Sequence, residues 1–205
     1  ILDGDIGFIR IHEFNLNAYE EFSAALRSLL QSGVKGFIFD VRNNPGGDLN
    51  TVCSMVDLLV AEDELIVLQY KDDEEILRST PNRMTDLPMV VLLNSGSASA
   101  SEMFSSSLRD LNAAPLVGEV SYGKGVGQTT LPLRDGSALH ITTFRYLTKS
   151  RTDYNGKGLT PDYTVPLPAE VASRFYAMTD AEDTQLNKAV EVLRGAVSPE
   201  KQEKQ

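Results

Sequence analysis

The sequence predicts an α/β fold built on a largely parallel sheet. Three observations carry that prediction. Short continuous apolar runs, GFIFDV at 36–41 and MVVLL at 89–93, read as strands buried on both faces, which is the pattern of parallel sheets. Amphipathic helical segments alternate with such strands along the chain. Two further stretches lie either side of turn residues and read as hairpins.

The elements follow in order. Ile6–Ile11 is the first expected strand. Asn17 is the expected N-cap of a helix, with Glu20 three residues on in a capping-box-like start. Phe22, Leu26, Leu29 and Leu30 give that helix an apolar face, and Gly33 ends it. The strand at Gly36–Val41 leads through a glycine turn into a helix from about Leu49 to Ala61, with Val52, Met55, Val56 and Val60 inward. Leu65–Lys71 and Glu74–Ser79 straddle Asp72-Asp73 as a hairpin. The strand Met89–Leu93 turns through Asn94-Ser95-Gly96 into a helix with a serine- and alanine-rich start. Pro115–Val120 is a short strand. Gln128–Leu133 and Ser137–Tyr146 flank Asp135-Gly136, a strong hairpin signal. Leu147–Asp162 reads as a long irregular arm. A last helix starts at Thr179 or Asp180, with Leu186, Ala189, Val190 and Leu193 on one face, and the tail SPEKQEKQ is expected to be disordered.

Composition narrows the function classes. A chain of 205 residues can bury roughly 70% of its unfolded surface, enough for one substantial core. A hydrophobic content of 41% and a charged content of 23% are those of an ordinary globular protein. No apolar run approaches the ~18 residues of a membrane span. The start, ILDGDIGFIRI, has neither a basic nor an apolar signal region and reads as a trimmed or mature fragment. A net charge of −10 argues against nucleic-acid binding and disfavours anionic lipid. The single cysteine, Cys53, cannot form an internal disulfide, lies in an apolar helical pattern, and reads as core rather than nucleophile. No His/Cys cluster suggests zinc, so no metal or cofactor is expected.

The chemistry concentrates between Asn94 and Gln128. A small serine at a helix N-terminus suits acyl chemistry, because free N–H groups there can hold an oxyanion. A lysine bracketed by glycines, Gly123-Lys124-Gly125, can be brought to that serine as base, and Ser–Lys is a recognised nucleophile–base pair. For a lysine to act so, desolvation must outweigh the negative charge around it. Each feature has a plainer reading. Ser99-Ala100-Ser101-Glu102 is also a capping box, and GKG is also a solvated turn. Gly118-x4-Gly123-Lys124 has phosphate-loop spacing, but Gly125 stands where a Ser or Thr is needed. His12 and His140 sit on strand-like segments and form no Ser-His-Asp set.

GSASASE at 96–102, followed by GE, GKG and Gln128 within 118–128, resembles the core of the carboxyl-terminal processing peptidases, also called tail-specific proteases. DVRNNPGGDL at 40–49 and GKGLTPD at 156–162 match two further blocks of that family, in the right order. The resemblance runs from about Asp3 to Val165.

The resemblance implies a crotonase/ClpP-like α/β core of repeated β-β-α units, here with a β-hairpin and a C-terminal helix. It divides the chain into a peptidase core at 1–166 and a C-terminal helical segment with tail at 167–205. It makes Ser99, the middle serine of its block, the nucleophile and Lys124 the base, with Ser97 left to do the capping. Gln128 is the implied orienter of Lys124. Asp110 is the rival third member, but three helical turns from Ser99 it would lie about 16 Å along the axis, and it reads as structural. The implied oxyanion donors are the N–H of Ala100 and one from Gly46-Gly47, with Gly47 favoured. Implied partners are a polypeptide cut near its C-terminus, a homo-oligomer, and an upstream PDZ module for which this chain has no room. The implied location is outside the cytoplasm. A crotonase-type acyl-thioester enzyme and a non-catalytic peptide- or lipid-binding module are the rival readings.

Overall fold

The computed structural model describes residues 1–197. Its strands are β1 (Ile6–Arg10), β2 (Gly36–Asp40), β3 (Glu64–Gln69), β4 (Glu74–Arg78), β5 (Met89–Leu93), β6 (Leu116–Gly118), β7 (Val126–Pro132), β8 (Ala138–Thr148) and β9 (Tyr163–Thr164). Its helices are α1 (Ala18–Gln31), α2 (Leu49–Asp57), α3 (Ala100–Asp110), the single turn α4 (Ala169–Ala172) and α5 (Thr184–Val197), with a 3-10 turn at Phe175–Ala177.

The apolar runs become parallel strands, as expected. β1, β2, β5, β6 and β9 form one sheet in the order β1-β2-β5-β6-β9, every pair parallel. Alternation along each strand splits its side chains between two cores. Phe37, Phe39, Val91 and Leu93 face the core shared with α1, α2 and α3. Ile38, Val90 and Leu92 face the other way, onto Leu186, Ala189 and Leu193 of α5. The result is three layers, with α5 covering the second face. Phe14, Phe22, Phe39 and Phe104 pack ring to ring in the larger core.

Both hairpins form, and they join. β3 pairs with β4 and also with β8, giving a four-stranded antiparallel sheet in the order β4-β3-β8-β7. Local pattern identified each hairpin but held no information on the β3–β8 pairing.

Three expectations shift. Asn17 holds a right-handed helical backbone (φ −92°, ψ −15°) and makes no side-chain cap bond. An N-cap needs extended backbone to swing its side chain over the next turn; here Asn15 instead accepts the Asn17 N–H at 2.9 Å. α2 stops at Asp57 rather than Ala61, because Leu58, Leu59 and Val60 continue the apolar pattern as a buried turn. α5 starts at Thr184, since Asp183 supplies the cap through Leu186 N–H at 2.9 Å. The Thr179–Glu182 stretch is instead a turn closed by Glu182, which accepts from Thr179 N–H and Oγ, both at 2.9 Å. The SPEKQEKQ tail lies outside the described residues. Among the described residues no helix is long and apolar enough to cross a membrane, and no cluster of ligand side chains could hold a metal.

Candidate active site

The site forms where the C-terminal ends of β2 and β5 open into loops. After β5 the chain turns at Asn94 and enters α3 at Ala100, with Ser99 between them. Ser99 is the strained residue of this turn: φ 54°, ψ −115°, a region that disfavours side chains. Such strain persists only where surrounding structure fixes it, and it collects at functional sites. Gly46 shows how tight the fixing is. At φ +109° its α-carbon faces Ser99 so closely that an added Cβ would sit 2.8 Å from Ser99 Cβ and 3.0 Å from Ala100 N.

Hydrogen bonds weave the loop after β2 into the Ser99 turn. Asn43 N–H donates to Asn94 Oδ1 at 2.8 Å, and Asn94 Nδ2 returns a bond to Asn43 Oδ1 at 2.9 Å. Asn44 carbonyl accepts from Ser101 Oγ at 2.9 Å and Ala98 N–H at 3.0 Å. Ser97 does not cap α3. Its hydroxyl donates to the Val41 carbonyl at 2.8 Å and accepts from Asn94 N–H at 3.0 Å, tying the two loops together.

Glu102 is the organising side chain that the sequence reading left in a capping box. It is fully buried. Oε2 accepts Ser99 N–H at 2.9 Å and Lys124 N–H at 2.8 Å. Oε1 accepts Gly123 N–H at 2.7 Å and Ser121 Oγ at 2.5 Å. Ser99 and Lys124 backbone nitrogens are therefore no further apart than two hydrogen-bond lengths. Ser99 and Glu102 thus form the capping box that the spacing suggests, and the Glu102 N–H also donates to the Ser99 carbonyl at 2.9 Å. The S-x-x-E spacing was the available signal; reading the glutamate only as a cap hid its reach to residues 121–124.

The GKGLTPD block supports the lysine loop from behind. Gly156 N–H donates to Gly123 carbonyl at 2.8 Å, and Leu159 N–H donates to Ser121 Oγ at 2.7 Å. Gly123, at φ +88°, packs against Gly158 N, where a Cβ would come within 2.7 Å. The phosphate-loop reading fails on this geometry, because the Gly123 and Lys124 amides that would cradle an anion hold Glu102.

A profile of peptidase family S41 matches residues 5–165. The chain belongs to that family. A carboxyl-terminal-processing protease of Synechocystis sp. is 36% identical over 194 residues, covering 94% of this chain and 45% of the relative. A carboxy-terminal-processing protease of Bartonella bacilliformis is 32% identical over 235 residues, covering 96% and 54%. Among solved structures, a photosystem II D1 C-terminal processing protease superposes with a TM-score of 0.77 at 32% identity, covering 86% of this chain and 47% of that one. The chain spans about half the length of these relatives.

In this S41 core the remaining expected residues fall as follows. Ser99 is half-buried and Ala100 buried, and Ala100 N–H has no partner among the described residues. Gly46 N–H is spent on Asn44 Oδ1 at 2.9 Å, whereas Gly47 is exposed and its N–H has no partner among the described residues. Lys124 is exposed, so the desolvation expected of it is not provided by the described residues. Gln128 is exposed on β7, and its amide oxygen meets His140 Nε2 at 3.0 Å; His140 Nδ1 lies 2.8 Å from Thr130 Oγ1. Asp110 closes the far end of α3, accepting from Ser150 N–H at 3.1 Å and Ser150 Oγ at 2.9 Å. His12 is exposed. Burial, reinforced by Asp48 and Asp57, pushes the Cys53 thiol up to about 12, which rules against a thiolate nucleophile.

Proposed function

We propose that this chain is the catalytic core of a serine endopeptidase that cuts polypeptides near their C-termini. Ser99 Oγ attacks the scissile carbonyl, and Lys124 Nζ takes the hydroxyl proton and returns one to the leaving amine. The N–H groups of Ala100 and Gly47 hold the oxyanion. The observation that carries this reading is the shared grip of Glu102 on Ser99 and Lys124, with Ser99 held in a strained turn. Strain of that kind collects at functional sites, which fits a hydroxyl held for presentation.

Lys124 is open to water in the free chain. A bound polypeptide lying over it would supply the dry surroundings that a neutral amine needs. Gln128 orients that amine, with its own amide oxygen held by His140. C-terminal specificity rests on the names of the two carboxyl-terminal-processing relatives. We extend the family expectation to a location outside the cytoplasm, an upstream PDZ module and self-association. No metal or cofactor enters the scheme.

Cleavage of an internally quenched peptide tests it. Ser99→Ala and Lys124→Ala should each abolish turnover with the fold intact, and the double variant should be no worse than either, since the pair acts as one unit. A fluorophosphonate should label wild type at Ser99. Full activity in Ser99→Ala, or an activity rise with pH that vanishes in His12→Gln/His140→Gln, would place the chemistry elsewhere. An acyl-thioester enzyme or a binding module on this fold would show neither peptide cleavage nor loss on Lys124→Ala.

A further inference from the structure

The S41 match ends at residue 165, yet the chain beyond it reaches back to the site. The contact is Arg42, two residues past β2 and just before the loop that faces Ser99. Its guanidinium is fully buried, and all five of its N–H groups are engaged. Nε donates to Asp40 Oδ1 at 2.9 Å, and Nη2 donates to Asp40 Oδ2 and Asp183 Oδ2, both at 2.8 Å. Nη1 donates to Asp183 Oδ1 at 2.9 Å and Gln185 Oε1 at 3.0 Å. The Phe175 ring lies 4.9 Å from the guanidinium carbon. Three of the five bonds, and the ring, thus come from the segment outside the family match.

α5 is also seated by Leu186, Ala189 and Leu193, which bury against the sheet. A buried ion pair is a poor source of net stability, because desolvation offsets its attraction. In some proteins the retained role of such a pair is to fix one geometry. What is fixed here is Arg42, whose next residue, Asn43, sits in the left-handed region at φ 58° and pairs with Asn94. Asn44, one further, bonds Ala98 and Ser101 on either side of Ser99. Gly46 then packs on Ser99 itself.

We propose that Asp183, assisted by Gln185, is a positioning residue for the reaction: by locking Arg42 it holds the Asn43–Gly47 loop in register with the Ser99 turn. The C-terminal segment is then part of the catalytic apparatus rather than an appendage to it. The proposal rests on Ser99 being the nucleophile and the Gly46-Gly47 loop being the oxyanion wall.

The test uses the full chain, a quenched peptide, and fluorophosphonate titration to count competent serines. Labelling of wild type at Ser99 and inactivity of Ser99→Ala are checked first, so a failure of the nucleophile assignment is seen separately. Asp183→Ala should then lower kcat per labelled serine by about tenfold or more with KM within about twofold, as a misplaced wall costs rate rather than binding. Asp183→Asn keeps an oxygen to cap α5 and should fall between Asp183→Ala and wild type. Gln185→Ala loses one bond to Arg42 and should lose about two- to fivefold. Adding Asp183→Ala to Arg42→Met should cost no more than Arg42→Met alone, because both act through one side chain. The proposal is overturned if kcat per labelled serine stays at the wild-type value in Asp183→Asn and Gln185→Ala, or if the Asp183 and Arg42 losses multiply. Should Asp183→Ala fail to fold, the two milder variants decide.

Discussion

At the residue scale the burial of Glu102 is the feature with the sharpest consequences. Its two oxygens serve three backbone N–H groups and one hydroxyl, and it has no exposed surface. Glu102→Gln keeps the shape but turns one oxygen into an N–H2 donor that must face other donors. A buried donor without an acceptor costs about 1–3 kcal/mol. The variant should therefore lower Tm and also cut kcat, since the Ser99 and Lys124 turns lose their common anchor. Thermal melts and peptide kinetics on the same preparation check this; a stability loss with kcat unchanged would mean that Glu102 holds the fold but not the chemistry. Tyr154 is the opposite case. Its hydroxyl is buried and has no partner among the described residues. Tyr154→Phe removes an orphaned polar group and should leave Tm equal or raise it, by up to roughly 1–2 kcal/mol of stability. A clear drop in Tm would reveal a partner for that hydroxyl.

At the element scale, what was legible in the sequence followed from local pattern. β2 and β5 were readable because both faces of each strand are apolar, and the β7–β8 hairpin because Asp135-Gly136 marks its turn. Elements set by distant side chains were not. The start of α5 is one: Thr179 and Asp180 look like caps, but Asp183 takes the role because Arg42, 141 residues away, fixes it there. The serine, lysine and glycine loops could be found from four short blocks, while the carboxylate that joins them was visible only as a cap. The turn before α5 carries a pH prediction. Its Arg174 bonds, helped by Thr179, hold Glu182 down at about 2 against an ordinary 4.5. A carboxylate depressed in the folded state contributes stability above the unfolded value and loses it as pH falls through the folded one. That contribution should be intact above pH 4.5 and drain away towards pH 2. The pair is exposed, so the effect is small. Glu182→Gln should flatten this part of the stability–pH curve, measured by denaturant unfolding across the acid range; an unchanged slope would show that the pair is screened out.

At the scale of the whole molecule, the parallel sheet has two apolar faces and the chain covers them unequally. Three helices from within the family match cover one face, and α5, from beyond it, covers the other. A sheet of this kind with one face bare would expose Ile6, Ile38, Val90, Leu92 and Val117 to water. α5 is therefore expected to fold and unfold with the sheet, although residues 167–205 read from sequence as a separate segment. Leu193 tests this directly. It is 1% exposed, and Gly36 gives it room by lacking a side chain, since a Cβ there would lie 3.0 Å from a Leu193 methyl. Leu193→Ala should cost about 2–5 kcal/mol, the transfer of the lost methyls plus the cavity they leave. If α5 is a layer of the one core, urea unfolding should remain a single transition, with the midpoint lowered and the slope m unchanged. Catalytic competence should be lost in the same transition, because Asp183 and Gln185 at the head of α5 hold Arg42. If α5 is only docked, the variant should instead unfold in two steps, with a first step that releases the helix and leaves the sheet's own transition where it was.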